Sequence, residues 1–425
     1  MLRVIFKNLW NRRSRYAWLF LELVLVTIIA WQLIDRSVVL MYDRSLPMGY
    51  DIDRLVKIDV STLPEKHAGF KPEYDTEEGR INSIHAFLGK VRAFDGVEAA
   101  MASGSYAYMG SPQLNTAYTY DGSTDTVSVS GQFFWTGTDF FRTIGIEPAD
   151  GTPAEVLDNV APGEVILTET LARQFSPDGG VPTAKLFNPY TGEGVTAVGV
   201  VEDVRRSPLR RSYSLAFVAL APEPYDNFAC TVRLKDGVDM KTFIDEFRNR
   251  APRELTAGNY AVKAVTPYTE LFAGMAREDG ITNSYRRGVA LTVFFMLNLL
   301  LGVVGSFYLQ TRRRTGEMGV HRAFGATRGK IRTILLGESF VLMTVAFSVG
   351  IFLYLQYGLA AGLDFGYEEP GDTTVADTWV SSFGIHFAAI SAIVYVLMLV
   401  CVMVGTYFPA REASRVNPID ALRNE

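Results

Sequence analysis

Cysteine is nearly missing from this chain: Cys230 and Cys401 are the only two among 425 residues. Two cysteines give neither a disulfide framework nor a CxxC metal site. One lies in a polar segment and the other in an apolar run, which argues against pairing them. The four histidines, His67, His85, His321 and His386, are scattered, with no HExxH or other zinc spacing. No G-x-x-x-x-G-K-[ST] occurs; Gly89-Lys90 and Gly329-Lys330 lack the first glycine and the Ser/Thr. A phosphate cradle of the P-loop kind is therefore absent from these residues. No G-x-S-x-G is present either. Charge is also scarce: 20% of residues are charged and 48% apolar, where a soluble domain carries about 25% charge. A net charge of −5 argues against a nucleic-acid partner.

What is abundant is apolar sequence in long runs. Four runs are long enough to cross a bilayer, which takes about 20 residues: Tyr16–Ile34, Gly288–Leu309, Ile334–Ala361 and Phe383–Phe408. The first follows a basic start but no A-x-A site, and reads as an uncleaved anchor. Residues 1–15 carry five Lys/Arg and no acid, and 310–333 carry seven Lys/Arg against Glu317 alone. Residues 362–382 carry five acids and no base. The positive-inside rule then places both termini and the 310–333 loop in the cytoplasm and the other connections outside. Leu2, Ile5, Phe6 and Leu9 share one face at the start, as in a helix lying on the membrane surface.

The large segment 36–285 holds 24 Lys/Arg and 34 Asp/Glu and is long enough for its own core. It reads as α+β. Strands are predicted at Val56–Val60, Thr126–Ser130, Val165–Thr168, Val195–Val201, Thr231–Leu234 and Val262–Val265. Helices are predicted at Glu77–Phe94 and Asp239–Arg250 from apolar residues at helical spacing. Tyr268–Arg287 reads as a helix running into the second span, a rigid link. Acid–base clusters are not evident; Asp51, Asp53 and Asp59 read as solvated surface.

Within the spans, Glu22 and Glu338 lie within about two turns of the cytoplasmic end. Each faces either the headgroup zone or a basic neighbour, or serves as a proton relay or helix-packing contact. Asn298, near mid-span, is expected to bond to another helix. Gly302 with Ser306, and Ala346 with Gly350, are small-xxx-small pairs suited to close packing.

Two stretches carry a family resemblance. The first runs Arg312-Arg313-Arg314-Thr315-Gly316-Glu317-Met318-Gly319-Val320-His321-Arg322-Ala323-Phe324-Gly325-Ala326. The second runs Pro409-Ala410-Arg411-Glu412-Ala413-Ser414-Arg415-Val416-Asn417-Pro418-Ile419-Asp420-Ala421-Leu422-Arg423. Together they resemble the MacB/FtsX-type permease family of ABC transporters. The family's loop reads R-x-x-E-[IM]-G-[IV]-[RK]-[RK]-A-x-G-A and its tail P-A-[RK]-x-A-[AS]-x-x-[ND]-P-[IV]-x-A-L-R. His321 departs, standing where the family has a base. Three stretches of the outer segment, Phe140–Ile146, Glu164–Glu169 and Val198–Val204, resemble landmarks of the MacB-type periplasmic domain in order.

The resemblance implies an α-helical membrane protein with four transmembrane helices and a large extracytoplasmic α+β domain. Its parts would be a cytoplasmic amphipathic helix at 1–15, spans at 16–35, 288–309, 334–361 and 383–408, and a periplasmic domain at 36–287. That domain would comprise a porter-like unit (45–130 and 220–267), an inserted subdomain (131–219) and a helical stalk (268–287). A coupling loop at 310–333, a periplasmic loop at 362–382 and a tail at 409–425 complete it. Glu317, Gly319, Arg322, Ala323, Gly325 and Ala326 would seat on an ATPase. Pro409, Ala410, Arg411, Ala413, Pro418, Ala421 and Leu422 form the tail motif. Read without the family, the tail is an ordinary helix stop, in which Pro409 ends the last span and Pro418 opens a short helix.

The resemblance further implies a non-catalytic permease subunit of the bacterial inner membrane, without its own ATPase or cofactor. ATP and Mg would be bound by a cytoplasmic ABC ATPase subunit. A second permease copy or paralogue would complete a dimer among membrane lipids, with a periplasmic adaptor and outer-membrane channel as further partners of efflux members. The expected work is mechanotransmission for export; lipoprotein release, envelope regulation and sensing through a partner ATPase are the alternatives. The substrate is not legible.

Overall fold

The structure is a computed structural model. It describes residues 13–105, 107–110, 115–120, 125–208, 214–313, 320, 323–363 and 378–415. The chain divides into two compact units at Tyr42/Asp43 and Gly280/Ile281.

In chain order the elements are α1 (Arg13–Ser45), β1 (Leu55–Thr62), α2 (Glu77–Arg92), β2 (Val97–Gly104), β3 (Asn115–Tyr120) and β4 (Val127–Trp135). Next come α3 (Phe140–Ile144), α4 (Glu155–Asp158), β5 (Val165–Thr168), α5 (Glu169–Phe175), β6 (Leu186–Phe187), β7 (Gly194–Val195) and β8 (Ala197–Val201). Then follow β9 (Leu215–Leu220), β10 (Asn227–Leu234), α6 (Met240–Glu254), β11 (Tyr260–Pro267) and α7 (Tyr268–Glu278). The chain closes with α8 (Ile281–Arg313), α9 (Arg328–Ala361) and α10 (Phe383–Ala413).

The helical unit holds α1 up to Tyr42 with α8, α9 and α10. Each helix has an apolar stretch long enough to cross a membrane. In a bilayer only a helix or a closed barrel satisfies every backbone group, so such runs form helices. Leu19, Leu23, Ala30, Trp31 and Ile34 of α1 are buried at helical spacing in the shared core with Leu299, Met343, Ala346, Ile390 and Val394. α1 extends past the expected 16–35 to Ser45, because Ser37–Met41 continue apolar and helical; Val39 and Leu40 are buried.

The α+β unit contains two sheets. The first has the order β11-β1-β10-β2 and is antiparallel throughout. Val265, Ile58, Cys230 and Ala102 form one row across it. This row faces α2 and α6, whose Phe87, Val91, Phe243 and Phe247 complete the core. Both helices start as their caps require: the Thr76 hydroxyl accepts from Gly79 N and the Asp239 carboxylate from Thr242 N. Burial pushes the Cys230 thiol up to about 12, so it is an inert core group.

The second sheet is mixed, with order β7-β6-β3-β4-β9-β5-β8. The chain enters it after β2 and returns through β9 into β10. Its start differs from the expected 131: β3 and β4 pair with each other and with β6 and β9, so the insertion begins by Asn115. Strand pairing is nonlocal, and nothing in the run of residues marks that crossing.

The expected continuous stalk at 268–287 is also corrected. α7 ends at Glu278, Gly280 has φ +72°, and α8 starts at Ile281. A left-handed residue cannot continue a right-handed helix. Pro409 likewise does not end its helix: it is buried inside α10, which runs on to Ala413. The proline leaves the carbonyl of Gly405, four residues earlier, without its helical donor, yet the helix holds.

Candidate functional site

The loop and tail stretches that carry the resemblance come together at one end of the helical unit. Ala326 packs against a cluster formed by Ile331 and Leu335 of α9 with Ala410 and Ala413 of α10. All four partners are buried. Small alanines at these places let the last turns of α10 approach the loop closely.

The approach to α9 is set by local chemistry. Gly325 has φ +87°, and a Cβ added there would meet nothing within 4 Å. The constraint is thus the backbone conformation, which favours glycine. Two residues later the Thr327 hydroxyl accepts from Lys330 N at 3.2 Å and caps α9. The turn before it presents an aromatic outward: Phe324 is 89% exposed, and Val320 and Ala323 are exposed as well. Arg411 and Glu412 are exposed on the last turn of α10. The face therefore combines a protruding ring with charged groups of both signs, a composition suited to a polar, reversible protein contact.

Glu317, Gly319 and Arg322 of the loop, and Pro418, Ala421 and Leu422 of the tail, lie outside the described residues, as does the amphipathic start at 1–12.

Close to this end, Glu338 is buried and accepts from Tyr16 Oη at 3.2 Å. Glu22 lies against Gly302, where an added Cβ would fall 2.2 Å from Glu22 Oε1. Both acids thus make helix-packing contacts. Gly350 seats α9 on α1, its would-be Cβ 2.8 Å from Thr27 Cβ and 3.1 Å from Val24 O. Ser306 is half-buried on α8. Asn298 corrects the expectation: it is exposed, and its Nδ2 donates to Phe294 O at 3.2 Å, one turn back on its own helix. It reaches no other helix among the described residues.

Of the buried charged groups that were not singled out from the sequence, two tie segments together. Asp35 Oδ1 lies 2.5 Å from His386 Nε2, joining α1 to α10. The first apolar run was bounded at Ile34, which hid Asp35. The available signal was that both residues sit at the same end of their spans under strict alternation. The second is Arg205, whose guanidinium is buried and donates to the carbonyls of Asp43, Leu46 and Pro208 at 2.8–2.9 Å. It ties down the chain leaving α1.

In the α+β unit the three landmark stretches converge. Phe140, Phe141, Ile144 and Ile146 share one core with Ile166, Val201 and Val204. Asp158 supports α3 from below: its Oδ1 accepts from Phe141 N at 2.7 Å. Burial pushes the Asp158 carboxyl up to about 6. Among the described residues no group of three or more His, Cys, Asp or Glu is placed to hold a metal ion.

The FtsX-like permease C-terminal family matches residues 289–418, and the MacB-like periplasmic core domain family matches residues 44–250. These regions coincide with α8–α10 and with most of the α+β unit. The macrolide export ATP-binding/permease protein MacB of Agrobacterium fabrum is 24% identical over 354 residues, covering 79% of this chain and 50% of that protein. The ABC transporter permease YknZ of Bacillus subtilis is 32% identical over 125 residues, covering 29% of this chain and 28% of that one. The solved periplasmic region of MacB from Actinobacillus actinomycetemcomitans is similar at 7% identity and a TM-score of 0.28, over 53% of this chain and 94% of that one. The chain spans about half or less of the length of the curated MacB relatives it matches. With a MacB-like periplasmic core domain followed in order by an FtsX-like permease domain, the chain belongs to the MacB/FtsX-type ABC transporter permease family.

Proposed function

We propose that this chain is the permease subunit of a MacB-type ABC system and works as a mechanotransmitter. A separate cytoplasmic ATPase subunit binds ATP and Mg and docks on the loop and tail. Its cycle shifts the helical unit, and the α+β unit moves in response on the periplasmic side. The work served is export or efflux of a peptide, antibiotic or other periplasmic substrate. The permease pairs with a second copy or a paralogue in the inner membrane, both termini in the cytoplasm. A periplasmic adaptor and an outer-membrane channel are candidate further partners.

The observation that carries this reading is that Ala326 packs against the cluster that holds Ala410 and Ala413, with Phe324 exposed in the same loop. A loop and a tail locked into one face can pass a push to α9 and α10 together. The excess of Lys/Arg in 310–333 supports the cytoplasmic placement.

The test is affinity purification of the tagged full chain in mild detergent beside Glu317→Lys and Phe324→Asp. Copurifying chains are identified and ATPase activity is measured. A P-loop ATPase that comes with wild type and is lost from both variants supports the docking face. Absence of any such ATPase from the wild type overturns the reading.

A further inference from the structure

One cleft in the α+β unit is lined by rings that neither sheet fully covers. It has a volume of about 550 Å³ and lies where β2 ends, beside β4, β9 and the chain entering β10. Ala107, Phe133 and Leu220 form its wall, the last two half-buried. Trp135 and Tyr225 stack beside them, ring centroids 6.1 Å apart and 17° from parallel. Trp135 is buried in the core of the first sheet, whereas Tyr225 is 44% exposed.

An exposed ring on a connecting segment is ordinarily free to swing. This one is held at its backbone. The Tyr225 carbonyl accepts from Tyr260 Oη at 2.7 Å. The preceding Pro224 carbonyl accepts from Arg80 Nη1 at 3.2 Å, and the Asp226 carboxylate pairs with the same nitrogen at 2.5 Å. On the opposite side Ser105 Oγ donates to Asn227 O at 2.7 Å. The cleft is thus preformed, mostly apolar and within the volume range of small-molecule sites. A preformed wall removes the ordering cost that a mobile loop would impose on binding.

Charge narrows the ligand. The one carboxylate in the lining, Asp226, is matched by Arg80. No lysine or arginine lines the cleft among the described residues, and the surrounding segment 36–285 carries an excess of acid. Among the described residues the lining thus offers an anion no cation of its own, and the neighbouring Arg80 is already engaged by Asp226. A flat group can stack on the Tyr225 face, and a positive charge on it gains further from the ring.

We propose that this cleft binds a small amphipathic molecule with a flat apolar part, uncharged or positively charged, stacked on Tyr225. The proposal concerns the α+β unit alone and stands apart from the coupling reading, so its test needs no ATPase. The full chain in lipid nanodiscs is titrated with berberine, a flat aromatic cation, and fluorescence anisotropy is read against empty nanodiscs. Saturable binding is expected. Tyr225→Ser weakens it about tenfold by removing one stacking face. Ala107→Trp fills the cleft and abolishes it, while Tyr190→Ser, which removes an exposed ring outside the cleft, leaves it unchanged. If Ala107→Trp unfolds the unit, Tyr225→Ser carries the test, since its anchoring bond is made by the backbone carbonyl. No saturable signal above empty nanodiscs, or equal affinity in wild type and Tyr225→Ser, overturns the proposal. Anilinonaphthalene sulfonate, a flat anion, binding as tightly as berberine overturns the charge assignment.

Discussion

The Asp35 carboxylate and the His386 imidazole meet at 2.5 Å, Oδ1 to Nε2, with both side chains wholly buried. The other ring nitrogen, Nδ1, faces the Val380 carbonyl at 3.1 Å. A carbonyl only accepts, so Nδ1 carries its hydrogen. A proton therefore lies between Asp35 and Nε2, and the contact has no net charge whichever partner holds it. Trp31 stacks alongside and donates to Ser391 Oγ at 3.1 Å. Together these bonds clamp α1 to α10.

Breaking this clamp leaves a buried polar group without its partner. Asp35→Ala and His386→Ala are each expected to cost about 3–5 kcal/mol. The double variant costs less than the sum, and Asp35→Asn retains most of the stability because its amide donates to Nε2. Thermal unfolding in detergent micelles reads the cycle; strict additivity would show that the pair is not coupled.

Small residues decide how closely α9 approaches α1. Gly350→Ala pushes a methyl into Thr27 and the Val24 carbonyl and is expected to cost about 1–3 kcal/mol. Gly305→Ala meets nothing within 4 Å and gains about 0.5–1 kcal/mol from helix propensity. Equal stabilities for the two variants would contradict the packing described.

Arg205 holds the carbonyls of Asp43, Leu46 and Pro208 in a buried setting. Arg205→Met orphans them and is expected to cost about 3 kcal/mol or more. Limited proteolysis should then cut the 43–48 stretch first. Arg205→Lys, with one nitrogen in place of a planar fork, should fall between.

Asp158 gives the α+β unit an inverted pH response at one site. Its folded-state pKa, near 6, stands above the ordinary value of 3.8. The folded protein holds the proton more tightly, so this contribution is full below about pH 4 and is lost as pH rises through 6. Relative to Asp158→Asn, the wild type should lose up to about 3 kcal/mol between pH 4 and 7. Denaturant unfolding of both proteins across that range reads the difference; a flat difference, or one of opposite slope, would refute it.

Phe324→Asp tests docking separately from folding. With its side chain 89% exposed, the substitution should leave the unfolding temperature unchanged. Under the proposed docking it lowers permease-stimulated ATPase activity about tenfold or more. Loss of both stability and stimulation would assign Phe324 to the fold instead.

Local chemistry determined a good deal of this protein. Apolar runs determined the four long helices, since a backbone in lipid has few ways to satisfy itself. The β-branched run Val165–Thr168 is β5 to the residue, and the apolar spacing after Asp239 marked α6, which starts at Met240. Other features required the folded chain. The loop and the tail are far apart in sequence, and only the crossing of α9 and α10 sets Ala326 against the cluster that holds Ala410 and Ala413. The insertion starts at β3 because strand pairing is chosen by distant partners. Gly280 breaks a stretch that helical periodicity would have carried through, because its left-handed backbone cannot continue the turn. Asp35 and His386 each read as ordinary residues at span ends. Their meaning lies in a 2.5 Å contact between helices, and a distance across a packed core is a property of the tertiary structure alone.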